Sequence, residues 1–255
     1  MIDLNAVAFA YPRASLLFEN FSLTISSGET WAILGPSGCG KTTLLYLLAG
    51  LRLPVSGQIS IEGKPLTRPR PRSGLILQDY GLLPWSTVRE NVELGLRVRK
   101  FYGEDGKHTP IDFQPGNNVP YWLNRLGIEE VADKFPTQIS GGQRQRTAIA
   151  RTLALEPDLL LMDEPFSSLD AITRGDLQNL TLSLCAEQNL TLVMVTHAIE
   201  EAVALGRRIL LLSEAPNESG RIFENPNAGQ SEYRSSPVYH ELCDRLWKEM
   251  HYEAA

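Results

Sequence analysis

Gly35-Pro36-Ser37-Gly38-Cys39-Gly40-Lys41-Thr42-Thr43 is the stretch on which the fold reading turns. It fits G-x-x-x-x-G-K-[ST], the spacing of a loop that cradles phosphate. Before it, Thr30-Trp31-Ala32-Ile33-Leu34 is an apolar, β-prone run that predicts a buried strand. After it, Leu44, Leu45, Leu47, Leu48 and Leu51 are spaced for one buried helical face, with Gly50 near the expected stop. Strand, glycine loop and helix in that order turn a short pattern into a site. The glycines let successive backbone N–H groups turn inward on an anion, and the helix N-terminus adds its partial positive charge. Lys41 is then placed to reach β- and γ-phosphates as a point charge, and the Thr42 hydroxyl to bind Mg²⁺.

At 255 residues the chain has room for one large α/β domain, or a core with a small insert. A net charge of −6 argues against non-specific nucleic-acid binding. The longest apolar runs, such as Leu159 to Met162 and Ile209 to Leu212, are strand-sized, far short of a bilayer span. The start Met1-Ile2-Asp3 lacks the basic residues and apolar core of a signal peptide. Cys39, Cys185 and Cys243 are odd in number and far apart, which suggests neither a disulfide framework nor a zinc site. The expectation is a cytosolic protein without a membrane anchor of its own.

Outward from the loop, residues 1 to 9 predict a first strand, and Phe21, Leu23 and Ile25 alternate with Ser22, Thr24 and Ser26 as in a half-buried strand. Gln58 to Ile61 and Ser73 to Leu77 predict further strands. The Pro- and Arg-rich stretch from Pro65 to Arg72 between them reads as an exposed loop whose charges are simply solvated. From about Tyr80 to Pro136 the texture becomes mostly helical. Val88, Val92, Leu94 and Leu96 form one pattern and Trp122, Leu123, Leu126 and Ile128 another, with a loop over 103–120. Leu159 to Met162 is a continuous apolar run suited to a parallel strand covered on both faces. Helical and strand patterns then alternate to Leu212, implying a mostly parallel sheet. Near the C-terminus Ser236 can cap a helix with Pro237 at its first position, and Val238, Leu242, Leu246 and Met250 share a face.

Two more segments carry chemistry. Leu159-Leu160-Leu161-Met162 ends in Asp163-Glu164, carboxylates at the edge where α/β ligands bind. Asp163 can hold Mg²⁺, usually through water, and Glu164 can polarise a water for in-line attack on a γ-phosphate. Ile139-Ser140-Gly141-Gly142-Gln143 opens another helical pattern, either as a second anion site or as a glycine-rich turn capping a helix. Tyr11, followed by Pro12, is either a surface turn aromatic or a platform for a base.

Taken together, the phosphate loop, Gln78, Ser140-Gly141-Gly142-Gln143, Asp163-Glu164, Ser168-Leu169-Asp170 and His197 resemble, in that order, the ATP-binding cassette (ABC) ATPases. The similarity covers roughly residues 1–225. "LLPW" after Gln78 and "THAIEEAVAL" look like the ATPase subunits of nitrate, sulfonate and taurine importers. The resemblance implies an α/β phosphate-loop NTPase core with a mostly parallel sheet, an antiparallel β subdomain and a helical insert over about 80–150, followed by a C-terminal helical extension over 226–255 packed on the core. It implies ATP and Mg²⁺ as ligands. ATP would lie on Gly35, Ser37, Gly38, Cys39, Gly40, Lys41, Thr42 and Thr43, with Tyr11 stacking on adenine. Thr42, Gln78 and Asp163 would serve the metal, Glu164 would be the general base, and His197 would contact the γ-phosphate. Ser140, Gly141, Gly142 and Gln143 of a second copy would cover the nucleotide in a head-to-tail homodimer, with Asp170 bridging the two sites. The implied partners are integral membrane permease subunits and, indirectly, a periplasmic or surface substrate-binding protein, with no nucleic acid expected. The place of work would be the cytoplasmic face of the inner (plasma) membrane, held peripherally.

Two positions depart from the family pattern: Ile139 stands for the usual leucine, and Ala198 stands where an aspartate is common. A cassette ATPase acting on nucleic acid or the ribosome is one alternative, disfavoured by the acidic chain and single cassette. A small-molecule kinase is another, but it has no use for Ser140 to Gln143.

Overall fold

The computed structural model describes residues 1–113, 118–230 and 232–252. Its strands and helices run in chain order β1 (Ile2–Ala10), β2 (Leu16–Ile25), β3 (Thr30–Leu34), α1 (Lys41–Leu48), β4 (Ser56–Ile61), β5 (Lys64–Pro65) and β6 (Ser73–Ile76). Then come α2 (Val88–Tyr102), α3 (Val119–Arg125), α4 (Gly141–Leu153), β7 (Leu159–Asp163) and α5 (Ala171–Glu187). The chain ends with β8 (Thr191–Val195), α6 (Ile199–Leu205), β9 (Arg208–Leu211), β10 (Arg221–Glu224) and α7 (Pro237–Tyr252). Two compact units divide these elements, one from Met1–Pro69 with Leu182–Ala255 and the other from Arg70–Thr181.

In the first unit, β1 sits between β2 and β4 in an antiparallel sheet of order β2-β1-β4-β5. The period-2 pattern sets its register. Phe21, Leu23 and Ile25 are buried while Ser22 and Thr24 face out, so a one-residue slip would invert the whole set. A second group places β3 in parallel between β8 and β9, with Ile33 opposite Val195 and Leu210, and β10 pairs antiparallel on β9. Every residue of β3 and β8 is buried, which explains their unbroken apolar composition. Leu44, Leu45, Leu47 and Leu48 of α1 are buried as their spacing predicts. Leu51 is 48% exposed, because the helix ends at Leu48 and Gly50 takes φ +70°, turning the chain away. At the other end, α7 lies on α6, and the Tyr239 hydroxyl donates to the Glu200 carbonyl (3.0 Å). Its inward positions are Tyr239 and Leu246; Val238, expected on the same stripe, is 52% exposed.

In the second unit, β6 runs parallel to β7, pairing Ser73 with Leu159 through Ile76 with Met162. The helix α4 packs on β6, α2 and α3. A capping box starts α2: Thr87 Oγ1 accepts from the Glu90 N–H (3.2 Å), and the Glu90 carboxylate accepts from the Thr87 N–H (2.8 Å). Two polar residues hold buried positions on this helix that the apolar pattern does not mark. Asn91 donates to the carbonyls of Leu83, Ser86 and Thr87, and Arg99 donates to the Pro71 carbonyl. The helix α3 ends at Arg125, so Leu126 and Ile128 are buried beyond it, on either side of Gly127 at φ +62°. Two arginines of the 65–72 stretch do more than solvate a loop: Arg70 pairs with Asp158 and Arg72 with Asp112. Of the loop expected over 103–120, residues 114–117 lie outside the described residues. No helix among the described residues is long and apolar enough to cross a membrane.

Candidate functional site

The phosphate-loop pattern lies between β3 and α1 in the first unit. Gly35 has φ +154°, and a Cβ there would sit 2.7 Å from Cys39 Sγ and 2.8 Å from the Leu212 carbonyl oxygen, so no larger residue fits. The Lys41 ammonium donates back to the carbonyls of Gly35 (2.9 Å) and Pro36 (2.8 Å), curling the loop around its own cation. Gly40 caps α1 at φ +107° without a side-chain hydrogen bond. The first-turn N–H groups of such a helix have no carbonyl of their own helix to bond. Burial pushes the Cys39 thiol pKa up, with nearby Lys41 acting the other way, which suits a neutral packing group in the loop wall.

Tyr11, one residue past β1, is tied to the first turn of α1: its hydroxyl lies 3.3 Å from Thr43 Oγ1. The Phe9 ring meets the Tyr11 ring edge-on at 5.1 Å, and the Arg52 guanidinium lies over it at 5.8 Å. The ring is therefore oriented by three neighbours and held beside the loop. His197 is exposed in the turn between β8 and α6. Ala198 is the N-cap of α6 and supplies no side-chain cap.

In the second unit, Asp163 is the last residue of β7 and is buried. Glu164 follows at φ +44°, a left-handed conformation costly for a residue with a side chain. Its carboxylate accepts a hydrogen bond from the Gln78 amide (3.1 Å), so the structure brings together these two residues, 86 positions apart. Ser140 and Gln143 form a complete capping box at the start of α4, using the N–H groups of Gln143 (3.2 Å) and Ser140 (3.0 Å). The N–H groups of Gly141 and Gly142 belong to the same first turn, where the helix has no internal partner for them. Gly142 is a packing glycine, since a Cβ there would lie 2.7 Å from Thr173 Cγ2. Asp170 is exposed and accepts from the Thr173 N–H (3.0 Å) at the start of α5; that bond holds its carboxyl below the usual range.

Sequence reasoning passed over several of these partners. Arg52 carries no local signal, and neither does Arg151, whose guanidinium donates to the carbonyls of Tyr80 and Gly81 just after Gln78. Tyr80 itself bonds Ser168 through its hydroxyl (2.7 Å). No group of three or more His, Cys, Asp or Glu able to hold a metal occurs among the described residues. The Thr42 hydroxyl in the first unit, and the Gln78 amide oxygen and Asp163 carboxylate in the second, are each hard oxygen donors. Oxygen donors of this kind are those that Mg²⁺ takes, commonly alongside phosphate and water.

A family model described as ABC transporter matches residues 18–167. The nitrate import ATP-binding protein NrtC of Synechococcus elongatus is 41% identical over 235 residues, covering 91% of this chain and 35% of that protein. The bicarbonate transport ATP-binding protein CmpC of the same species is 43% identical over 211 residues, covering 82% and 31%. The chain thus spans about a third of the length of these two relatives. The taurine import ATP-binding protein TauB of Yersinia pestis is 43% identical over 218 residues, covering 86% of this chain and 82% of TauB. Among solved structures, the dimeric bacterial ABC transporter cassette MJ0796 is similar at TM-score 0.73 and 32% identity, covering 88% of this chain and 98% of that one.

Proposed function

The chain belongs to the ABC transporter family, and from that premise we propose that it is the ATP-hydrolysing, energy-coupling subunit of a membrane importer for a small anion. The observation that carries this reading is the presence of two glycine-bearing helix starts in one chain, the loop around Lys41 and the Ser140–Gln143 turn, each suited to an anion. A kinase needs only the first. Nitrate, bicarbonate and taurine in the names of its relatives support a small oxoanion or sulfonate as cargo.

In this reading Tyr11 stacks on adenine, and the backbone N–H groups from Ser37 to Thr43 take the phosphates. Lys41 exchanges its two carbonyl acceptors for β- and γ-phosphate oxygens. Thr42 and, with water, Gln78 and Asp163 would hold Mg²⁺, which would supply positive charge to offset that of the phosphates. Glu164 takes a proton from the attacking water, and Gln78, already bonded to that carboxylate, orients it. The products are ADP and inorganic phosphate. His197 contacts the γ-phosphate. Two copies pack about a two-fold axis, so that Ser140, Gly141 and Gly142 of one cover the nucleotide on Lys41 of the other, and Asp170 links the two sites. The dimeric form of MJ0796 supports the pairing of two copies. Loss of the γ-phosphate removes the bridge, and the copies part. The segment from Tyr80 to Glu93 receives a short helix of a permease at the cytoplasmic membrane face, with substrate delivered by a separate binding protein.

The test is capture of a tagged copy from detergent-solubilised host membranes. Stoichiometric recovery of a polytopic membrane protein is expected; a wholly soluble catch would sink the importer reading. In parallel, Glu164→Gln is expected to bind ATP and dimerise while turnover falls about 10²-fold or more. Undiminished turnover would assign the base elsewhere.

A further inference from the structure

Asn217 lies between β9 and β10, 178 residues from the loop it touches, and is fully buried. Its backbone is fastened to β2 on both sides: its N–H donates to the Leu17 carbonyl (2.9 Å), and its carbonyl accepts from the Glu19 N–H (3.0 Å). Its side chain is equally committed. Oδ1 accepts from the Ser213 N–H (3.0 Å) and hydroxyl (3.3 Å), which fixes the amide orientation, since a backbone N–H can only donate. Nδ2 is thereby aimed at the Cys39 carbonyl, at 2.9 Å, inside the phosphate loop.

Peptide planarity gives this bond its consequence. In a trans peptide the C=O and the following N–H point in opposite directions. With the Cys39 carbonyl drawn toward Asn217, the Gly40 N–H must face the other way. Lys41 does the same for Ser37 by holding the Pro36 carbonyl. The Lys41 N–H is turned likewise, because the Gly40 carbonyl accepts from Leu44 N–H (2.8 Å) along α1. Each of these three loop N–H groups is thus turned away from a different anchor. Only one of those anchors lies outside the pattern and its helix.

We propose that Asn217 is a positioning residue for phosphate, which holds the Cys39–Gly40 peptide so that the Gly40 N–H is aimed at the anion before it binds. This rests on the loop being the phosphate site, as argued above. The Phe18 ring, 3.0 Å from where a Gly40 Cβ would be, closes the same wall and leaves the peptide little room to reorient while Asn217 is in place.

The experiment uses the full chain and compares wild type with Asn217→Ala and Asn217→Asp. It measures dissociation constants for ATP and for inorganic tripolyphosphate, kcat and KM for ATP, and the ligand-free melting temperature. On the order of tenfold weaker binding is expected for both ligands, as for loss of one well-aimed hydrogen bond to a charged group. The factor should be the same for both, since the loss is at the phosphates and not at the base. KM should rise by that factor, with kcat within about twofold of wild type on the same argument. A lower melting temperature with unchanged affinity for both ligands would make Asn217 a structural residue only and overturn the proposal. If both variants fail to fold, Ser213→Ala is read instead. It removes one of the two bonds orienting the amide and should weaken tripolyphosphate binding about two- to threefold; no change overturns the proposal. Failure of the wild type to bind either ligand would reject the phosphate site itself, whereas wild-type binding with indifferent variants rejects only Asn217.

Discussion

The starts of α1 and α4 are two glycine-bearing helix N-termini built on opposite plans. At α1 the cap is Gly40, which offers no side chain, and the surrounding carbonyls are held by Lys41 and Asn217. At α4 the cap is Ser140, and with Gln143 it satisfies two N–H groups from within the helix. The first leaves its donors to a ligand and needs distant residues to hold them; the second holds itself and has only a glycine pair to give. An exposed self-capped turn suits a surface that engages and releases a partner. A cradle walled by buried groups suits one that grips throughout a cycle.

The most severe way to break the contrast is Lys41→Ala. It deletes the cation that curls the loop and that we propose meets the phosphates, and ATP affinity should fall on the order of 100-fold, as for two lost charge-assisted bonds. Titration with a fluorescent ATP analogue checks this, and near-normal affinity would contradict the cradle assignment. Ser140→Ala should act differently. It removes the cap, lowering stability by about 1 kcal/mol, visible in the melting temperature of the ligand-free chain. ATP binding by the monomer should be untouched, while ATP-driven dimerisation of the hydrolysis-deficient form weakens. Equal damage to monomer binding would erase the distinction between the two ends.

A third helix start sharpens the comparison. Ala198 has extended N-cap geometry at α6, φ −93° and ψ 115°, but no oxygen to offer. Ala198→Asp should add stability of about 0.5–1 kcal/mol by capping, measured by chemical denaturation. The smallest effect is expected at Asp170, whose exposed carboxylate caps α5 through the Thr173 N–H and has a lowered pKa. A carboxylate with a depressed folded pKa contributes stability above its unfolded pKa of about 3.9 and loses it as pH falls through the lower folded value. Asp170→Asn should therefore leave neutral-pH stability almost unchanged and flatten the acid limb of the curve below about pH 4. An unaltered acid limb would show that the cap carries no linkage.

What could be read directly were the features made by neighbours in sequence. The strand-loop-helix around Gly35 to Thr43, the alternation in β2 and the unbroken apolar runs of β3 and β7 each follow from a local period or turn chemistry. The Ser140–Gln143 cap is local in the same sense. Where a reading slipped, a nonlocal contact had decided. Leu51 continued the apolar stripe but lies past the turn at Gly50, and Val238 fitted the stripe of α7 while Tyr239 took the inward place by reaching Glu200. Arg70 and Arg72 read as solvated charges because Asp158 and Asp112, their partners, lie 88 and 40 residues away.

By itself, then, the sequence determined the order of elements and the glycine-bearing helix starts for which a phosphate role is proposed, because both are properties of short windows. Tertiary structure alone decided how those motifs are aimed. Asn217 directs the Cys39–Gly40 peptide across 178 residues, and the Gln78 amide holds Glu164 across 86. Such pairings cost loop-closure entropy and leave no periodic trace; they form only when packing has brought the strands that carry them side by side.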